Sequence, residues 1–469
     1  MGQWQSIDLS AKLFLNVEEA VLRKSAAALE NCFINEAGGH SRFPGLKAFV
    51  TLPGSAPTYL HGWKAPIGDL IAVSNSRVYR IDRAGTVSDV TGVPVSGDRR
   101  VIFDETDNEL VMAAGGEIIR LAGETTEILS PDAPLSTHVG YIDGYLVAVE
   151  VSSGRFQHSS ANDFRTWDPL DTFSADGKPD EINGMLVSPY RELLLTGVDS
   201  VEQFERLPSG TTPFFRRWSV GEGVLAPYTL VAVDRGNFAI NSTYEFVRFT
   251  GQVSEAVGDD LQATFEKVDD WTGAWTAAVQ IKGQKFVLLQ MPEAASAYGT
   301  KGITCLYDYR QKKWYNLYGF DGGVPVKWPG CSYEEIWGRR FVGGNGVIYE
   351  LDTDVYSNVG QTQRMLGRTA PMDHWGPAFV DNVRMRVKRG VGSSSSEDDK
   401  PPKIAFRAIR DGKRRTKWKY RSLGRPGDTY NMIQFGGMGH AMSTFQFEWQ
   451  ITDPVSAEIV KLEAEVRKS

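Results

Sequence analysis

A degenerate repeat sets the limits on how this chain can fold. Residues 69–90 read as an apolar strand (Leu70, Ile71, Val73), a short polar turn at 74–76, a second alternating strand (Val78, Tyr79, Ile81) and a turn at Gly85. The pattern returns at 108–129 with its turn on Gly115-Gly116, and in looser form at 144–167, 191–207, 235–257, 283–314 and 337–351. Anchored on Val73, Met112, Val147, Leu194, Phe238, Val287 and Phe341, the period is about 45 residues. Short strands at that period specify the blades of a β-propeller rather than a helical solenoid. The expected fold is therefore all-β, with a β-propeller of about seven blades over residues 49–355, or six if the last unit is a fragment. First strands are expected at 59–63, 101–104, 139–142, 184–188, 230–233, 277–281 and 335–337. A closed array must join its ends, and the strand at 46–52 is placed to complete the last blade.

The flanks read differently. Residues 1–48 form an N-terminal arm, with helix formers over 18–30 and a tight turn at Arg42-Phe43-Pro44-Gly45, where Pro fixes φ and Gly permits the reversal. Residues 356–377 read as a connector. From 378 to 469 strands are expected at 380–388, 404–409, 418–423, 445–452 and 457–466, enough for a C-terminal β-sandwich, with a flexible Ser-rich, acidic loop at 390–402.

Composition agrees with a turn-rich β protein: 48 Gly, 22 Pro and an aromatic share of 11% in 469 residues. No run of about 18 apolar residues is present, so no membrane anchoring by this chain is expected. The first twenty residues lack a cationic start followed by an apolar block, and a secretory signal is not expected. Cys32, Cys305 and Cys331 are odd in number and unpatterned, and read as reduced core thiols. The formal charge of −7 is unevenly spread: residues 375–469 hold 18 Lys and Arg against 11 Asp and Glu, so the preceding body is markedly acidic. Residues 403–425 alone carry ten basic side chains and one acid, Asp411, a composition suited to an acidic partner surface or to phosphates.

Reactive chemistry is not indicated. The six histidines (His40, His61, His138, His158, His374, His440) have no metal spacing, and there is no phosphate-binding loop, HExxH or GxSxG motif. No catalytic, metal or cofactor site is expected. Residues 160–167 resemble the Asp-box turn of sialidase-type propellers, with Phe164 in place of the usual Gly. Such turns are structural, so the segment supports a propeller and leaves a glycan-binding or glycan-hydrolysing propeller as the alternative function. Insertions at 160–171, 208–226 and 292–302 are expected to project as loops. The aromatic and basic run Phe214, Phe215, Arg216, Arg217, Trp218 has the composition of an interface anchor and, equally, of a buried aromatic corner. Arg414, Arg415, Lys417 and Lys419 form the second candidate interface.

Several segments together carry a family resemblance: Asn31-Cys32-Phe33, Arg42-Phe43-Pro44-Gly45, Ser200-Val201-Glu202-Gln203-Phe204-Glu205, Gly346-Val347-Ile348-Tyr349-Glu350-Leu351-Asp352, and the basic module with Trp418, Arg421 and Gly424. In order and over nearly the whole length, the chain resembles the packaged-DNA-stabilisation proteins of short-tailed bacteriophages, also called tail hub or tail nozzle proteins. The resemblance implies a non-enzymatic virion tail protein made in the host cytoplasm. It implies a homohexameric ring below the portal and head-to-tail adaptor, contacts with tail spike or fibre and plug proteins, and genomic DNA passing through without tight binding.

Overall fold

Every anchor of the repeat lies on the second strand of a four-stranded antiparallel blade in the computed structural model, which describes residues 2–9, 28–64, 68–207, 213–258, 261–388, 401–424 and 431–468. The described residues form seven blades. The first comprises Thr58–Trp63, Asp69–Ser74, Arg77–Ile81 and Val87–Asp89. The next five follow in order, and blade six extends into a larger sheet. Blade seven takes Ser332–Ile336, Arg339–Gly343 and Val347–Asp352 from one end of the repeat and Gly45–Thr51 from the other. This pairing of the last strand with the first closes the ring and leaves no free end.

Both faces of each second strand are buried, which explains why these strands read as apolar runs. In blade two, Leu110 and Met112 pack with Trp63, Ile71 and Val73 of blade one. The intervening Val111 and Ala113 pack with Val139, Leu146 and Ala148 of blade three. Blade four repeats this, with Leu193 and Leu195 toward blade three and Leu194 toward blade five. Each Leu, Ile, Val or Met side chain so buried contributes about 1.5–3 kcal/mol. Two-residue hairpins fix the register: Asn75-Ser76 (φ 51° and 63°), Asp143-Gly144 (51° and 87°) and Trp337-Gly338 (58° and 71°) hold both central residues left-handed. That conformation matches the twist of the paired strands.

The second module is a two-sheet sandwich built from both ends of the chain. One sheet orders Cys32–Ile34, His40–Arg42, Glu458–Lys468, Ala378–Lys388 and Asn431–Ala441, with Gln3–Ile7 also on Glu458–Lys468. The other orders Met365–Arg368, Phe445–Ile451 and Lys403–Arg410, edged by Arg414–Arg415 and Lys419–Ser422. Strand Ala28–Glu30 lies between Met365–Arg368 and the last strand of blade six, Lys313–Asp321, so one sheet runs unbroken from propeller to sandwich. The core is also continuous, joining Phe286, Leu306 and Tyr315 of blade six to Phe406, Phe447 and Trp449.

These pairings revise the expected boundaries. The arm and connector are woven into the second module, because their short strands satisfy its sheet edges. The stretch of helix formers at 18–30 falls largely outside the described residues, and its end, Ala28–Glu30, is a strand. Most of the loop expected at 390–402 also lies outside them. The insertion containing Phe214 is likewise no loop: Phe214–Val220 is the outer strand of blade four, paired with Val201–Arg206. The segment at 292–302 lengthens a hairpin between Gln284–Ala295 and Lys301–Asp308.

Candidate protein interface

The blade-four run divides by strand alternation and pairing. Phe214 is buried against the rings of Tyr145, Phe156 and Phe173, and Trp218 is buried between blades four and five. Arg216 donates to Asp176 (2.6 Å) and Glu202 (3.2 Å), while Arg217 donates to Glu205 (2.7 Å). Phe215 alone of the five offers exposed apolar surface, at 36%. The strand therefore serves mainly to close its blade.

The basic edge of the sandwich is different. Arg414 and Arg415 pair with Arg410 and Ile409 across a turn at Asp411-Gly412. Asp411 does not neutralise its neighbours: its carboxylate accepts from the amides of Met442 (3.0 Å) and Ser443 (2.8 Å) and from the Ser443 hydroxyl (3.0 Å). Slight burial raises its pKa, but these donors outweigh that effect and hold it below the usual carboxylate range. Lys413, Arg414, Arg415 and Lys417 are exposed, and among the described residues none has a carboxylate within 4 Å. Lys419 is half-buried and donates to the carbonyls of Gly436 and Gly437, so its charge is directed into the neighbouring sheet. Trp418 packs under the Arg407 guanidinium, 4.1 Å from the ring centre. The usable cationic surface is thus residues 413–417; Lys413, unselected in the sequence reading, belongs to it.

Elsewhere, several cysteines and histidines are held as core elements. Among the described residues no group of three His, Cys, Asp or Glu side chains could hold a metal ion. Burial pushes the Cys305 thiol up to about 12 and the Cys32 thiol upward as well. The Asp-box-like segment is a hairpin turn: Asp163 accepts from the Arg165 amide (3.1 Å) and the Thr166 hydroxyl (2.7 Å), and Trp167 is buried between blades two and three. Burial lowers His138 to about 4, assisted by the charge of Arg99, and lowers His40 to about 4. Because these folded values lie below the ordinary value near 6.5, the unfolded chain binds more protons between the two. Stability should be full above about pH 6.5 and fall progressively toward pH 4, by on the order of 3 kcal/mol per histidine. Comparing urea midpoints at pH 7 and pH 4, His138→Phe should lose less stability than the parent chain; an unchanged difference would rule out this contribution.

The comparisons with known proteins follow the same repeat. No curated protein matches the chain at a significant level. Solved structures with related strand arrangements include YCF48 from Cyanidioschyzon merolae (13% identity, 66% of this chain and 98% of that one, TM-score 0.42). Others are a virginiamycin B lyase from Staphylococcus aureus (10%, 65% and 98%, 0.40) and an exo-β-1,3-galactanase from Phanerochaete chrysosporium (9%, 82% and 98%, 0.29). Likeness at this level carries no argument about activity. The family model described as bacteriophage P22 Gp10, β-propeller, matches residues 27–356, from the strand that joins the two modules through the closed seven-bladed ring. That span is well over half of the chain, and the protein belongs to this phage stabilisation family.

Proposed function

We propose that this protein is a structural component of a bacteriophage tail, a subunit of a six-fold hub or nozzle ring. The ring extends the DNA channel below the portal and adaptor and helps to retain the packaged genome. The observation that carries this reading is family membership over residues 27–356. Charge supports the assembly mode: an acidic body and a cationic edge that makes no ion pair among the described residues, on one chain with a continuous core, are complementary between successive copies, as a head-to-tail ring requires. The acidic body also suits a conduit, because each neutralised phosphate would add an adhesive, counterion-releasing contact and slow the polymer. In this reading the partners are copies of the same chain, the adaptor and portal, a tail spike or fibre and a plug, and the protein works mechanically rather than as an enzyme.

The triple substitution Arg414→Glu, Arg415→Glu, Lys417→Glu tests the reading. These side chains are exposed and make no ion pair among the described residues, so the melting temperature should stay within about 2 °C of the parent. Electron microscopy of the variant mixed with portal and adaptor should show no six-fold ring, whereas the parent forms one. A normal ring from the variant would exclude the basic edge as the contact, and a parent that stays monomeric would exclude the ring.

A further inference from the structure

One end of the propeller axis opens into a cavity of about 780 Å³ that assembly does not explain. It lies where segments entering the first strands of blades one, two, five, six and seven converge. Its wall holds Arg100, whose guanidinium is 5.0 Å from the ring centres of both Tyr59 and Trp275 and donates to the Cys331 carbonyl at 2.8 Å. Among the described residues no carboxylate lies within 4 Å of it. The arrangement is fixed from behind. The Trp275 indole donates to Gln290 (3.1 Å), and Gln290, fully buried, donates to Thr304 (3.1 Å) and the Trp328 carbonyl (3.0 Å). Trp271 also lines the cavity, and its buried indole N–H has no partner among the described residues.

A guanidinium fork without a counter-carboxylate suits one carboxylate, which it can take in bidentate geometry. The rim narrows the choice. Asp98, Asp269 and Asp270 are exposed around the same opening, and Asp270 is held below the usual carboxylate range by the Thr272 hydroxyl and amide. Arg99 and Lys327 line the same cavity, so the rim around Arg100 carries one net negative charge, which disfavours a phosphate or polyanion while its carboxylates accept hydrogen bonds from neutral hydroxyl groups. Half-buried Tyr228 and Trp271 supply ring faces for an apolar sugar face. We propose that this axial cavity binds an acidic sugar, a monosaccharide unit bearing one carboxylate, with Arg100 taking the carboxylate, Trp271 donating its N–H and the rim aspartates accepting hydroxyls. The site is separate from the assembly surface at 413–417.

Titration of the full-length protein with glucuronate, galacturonate or N-acetylneuraminate, followed by tryptophan fluorescence, should show saturable binding to at least one. Glucose and inorganic phosphate should bind at least about tenfold more weakly. Arg100→Lys keeps the charge but loses the fork, and should weaken binding about tenfold with the melting temperature retained. Trp271→Phe keeps the ring and should weaken it severalfold, giving a second readout should the Arg100 variant unfold. Absence of saturable binding by all three acids, equal binding of glucose or phosphate, or unchanged affinity in the folded variants would each overturn the proposal.

Discussion

Replacing Arg42 by methionine is expected to cost the full chain about 4 kcal/mol, a loss at the upper end for a single substitution. Arg42 is 1% exposed, and its guanidinium donates to the carbonyls of Asp453, Val455 (2.9 Å) and Gln363. Among the described residues no carboxylate lies within 4 Å of it, although the Asp453 charge favours its charged form, and the Tyr356 ring lies 5.7 Å away. Burial pulls its pKa down to about 10, so it remains charged at neutral pH. Three segments distant in sequence meet on this one side chain: the arm, the connector and the approach to the last strand. Methionine fills the space but removes the Arg42 donors from the Val455 and Gln363 carbonyls, while the Asp453 carbonyl keeps the Val455 amide (2.8 Å), and buried acceptors left unsatisfied are what make the loss large. Gln363 then completes the joint by donating to the Pro44 carbonyl at 2.9 Å. At Gly45 an added Cβ would sit 2.2 Å from the Ser357 carbonyl oxygen, so Gly45→Ala strains the same seam. Arg42→Lys should fall between methionine and the parent, since a point ammonium cannot span three acceptors. The measurement is the urea midpoint, with amide exchange of His40–Arg42 and Glu458–Lys468 as the local readout. A methionine variant within about 1 kcal/mol of the parent would mean that the joint is held by packing alone.

The Arg42 joint also marks where the sequence stopped being informative. A break at residues 43–44 was legible from Pro44, although it is a two-residue link between the strands His40–Arg42 and Gly45–Thr51 rather than the tight turn expected, and Gly45 does not take a positive φ. The role of Arg42 was not legible, because its acceptors are backbone carbonyls more than 300 residues away, and a carbonyl has no sequence signature. The blades were legible for the opposite reason. Burial of both faces forces an apolar run every time the unit recurs, so Val73, Met112, Val147, Leu194, Phe238, Val287 and Phe341 reported the ring from local pattern alone. Ala28–Glu30 and Met365–Arg368 are too short to show a period, and Asn431–Ala441 is broken by glycines, so the sandwich was seen only in part. At the candidate interface, the cationic run was plain from composition. Which cations face solvent depends on Asp411 and Lys419 hydrogen bonding to residues 436–444, which only the folded register brings near. Arg100, Tyr59 and Trp275 belong to three different blades, and nothing local links them.

Glu448→Gln is expected to destabilise the second module by about 3–5 kcal/mol. Glu448 is 1% exposed and is the direct cross-strand partner of both Arg368 and Arg407, so the three form one row across adjacent strands. One carboxylate oxygen accepts from Arg368 (Nε at 3.0 Å) and the other from Arg407. Burial alone would raise the carboxyl's pKa, but the two guanidinium groups outweigh it and hold it below the usual range. The stabilisation is therefore complete above the ordinary carboxylate pKa and is lost as pH falls through the lowered value. Glutamine keeps the shape and removes the charge, leaving two guanidinium groups with no counter-charge in a poorly solvated row. Replacing all three residues by methionine should restore most of the loss, because it removes the desolvated charges together. The consequence reaches the proposed interface: Arg407 also packs on Trp418, beside the 413–417 edge. Glu448→Gln should therefore weaken ring assembly together with stability, and the all-methionine variant should recover both. Charge reversal at 414, 415 and 417 should abolish assembly with stability intact. If Glu448→Gln lowered stability but assembled normally, the edge would be held independently of this row.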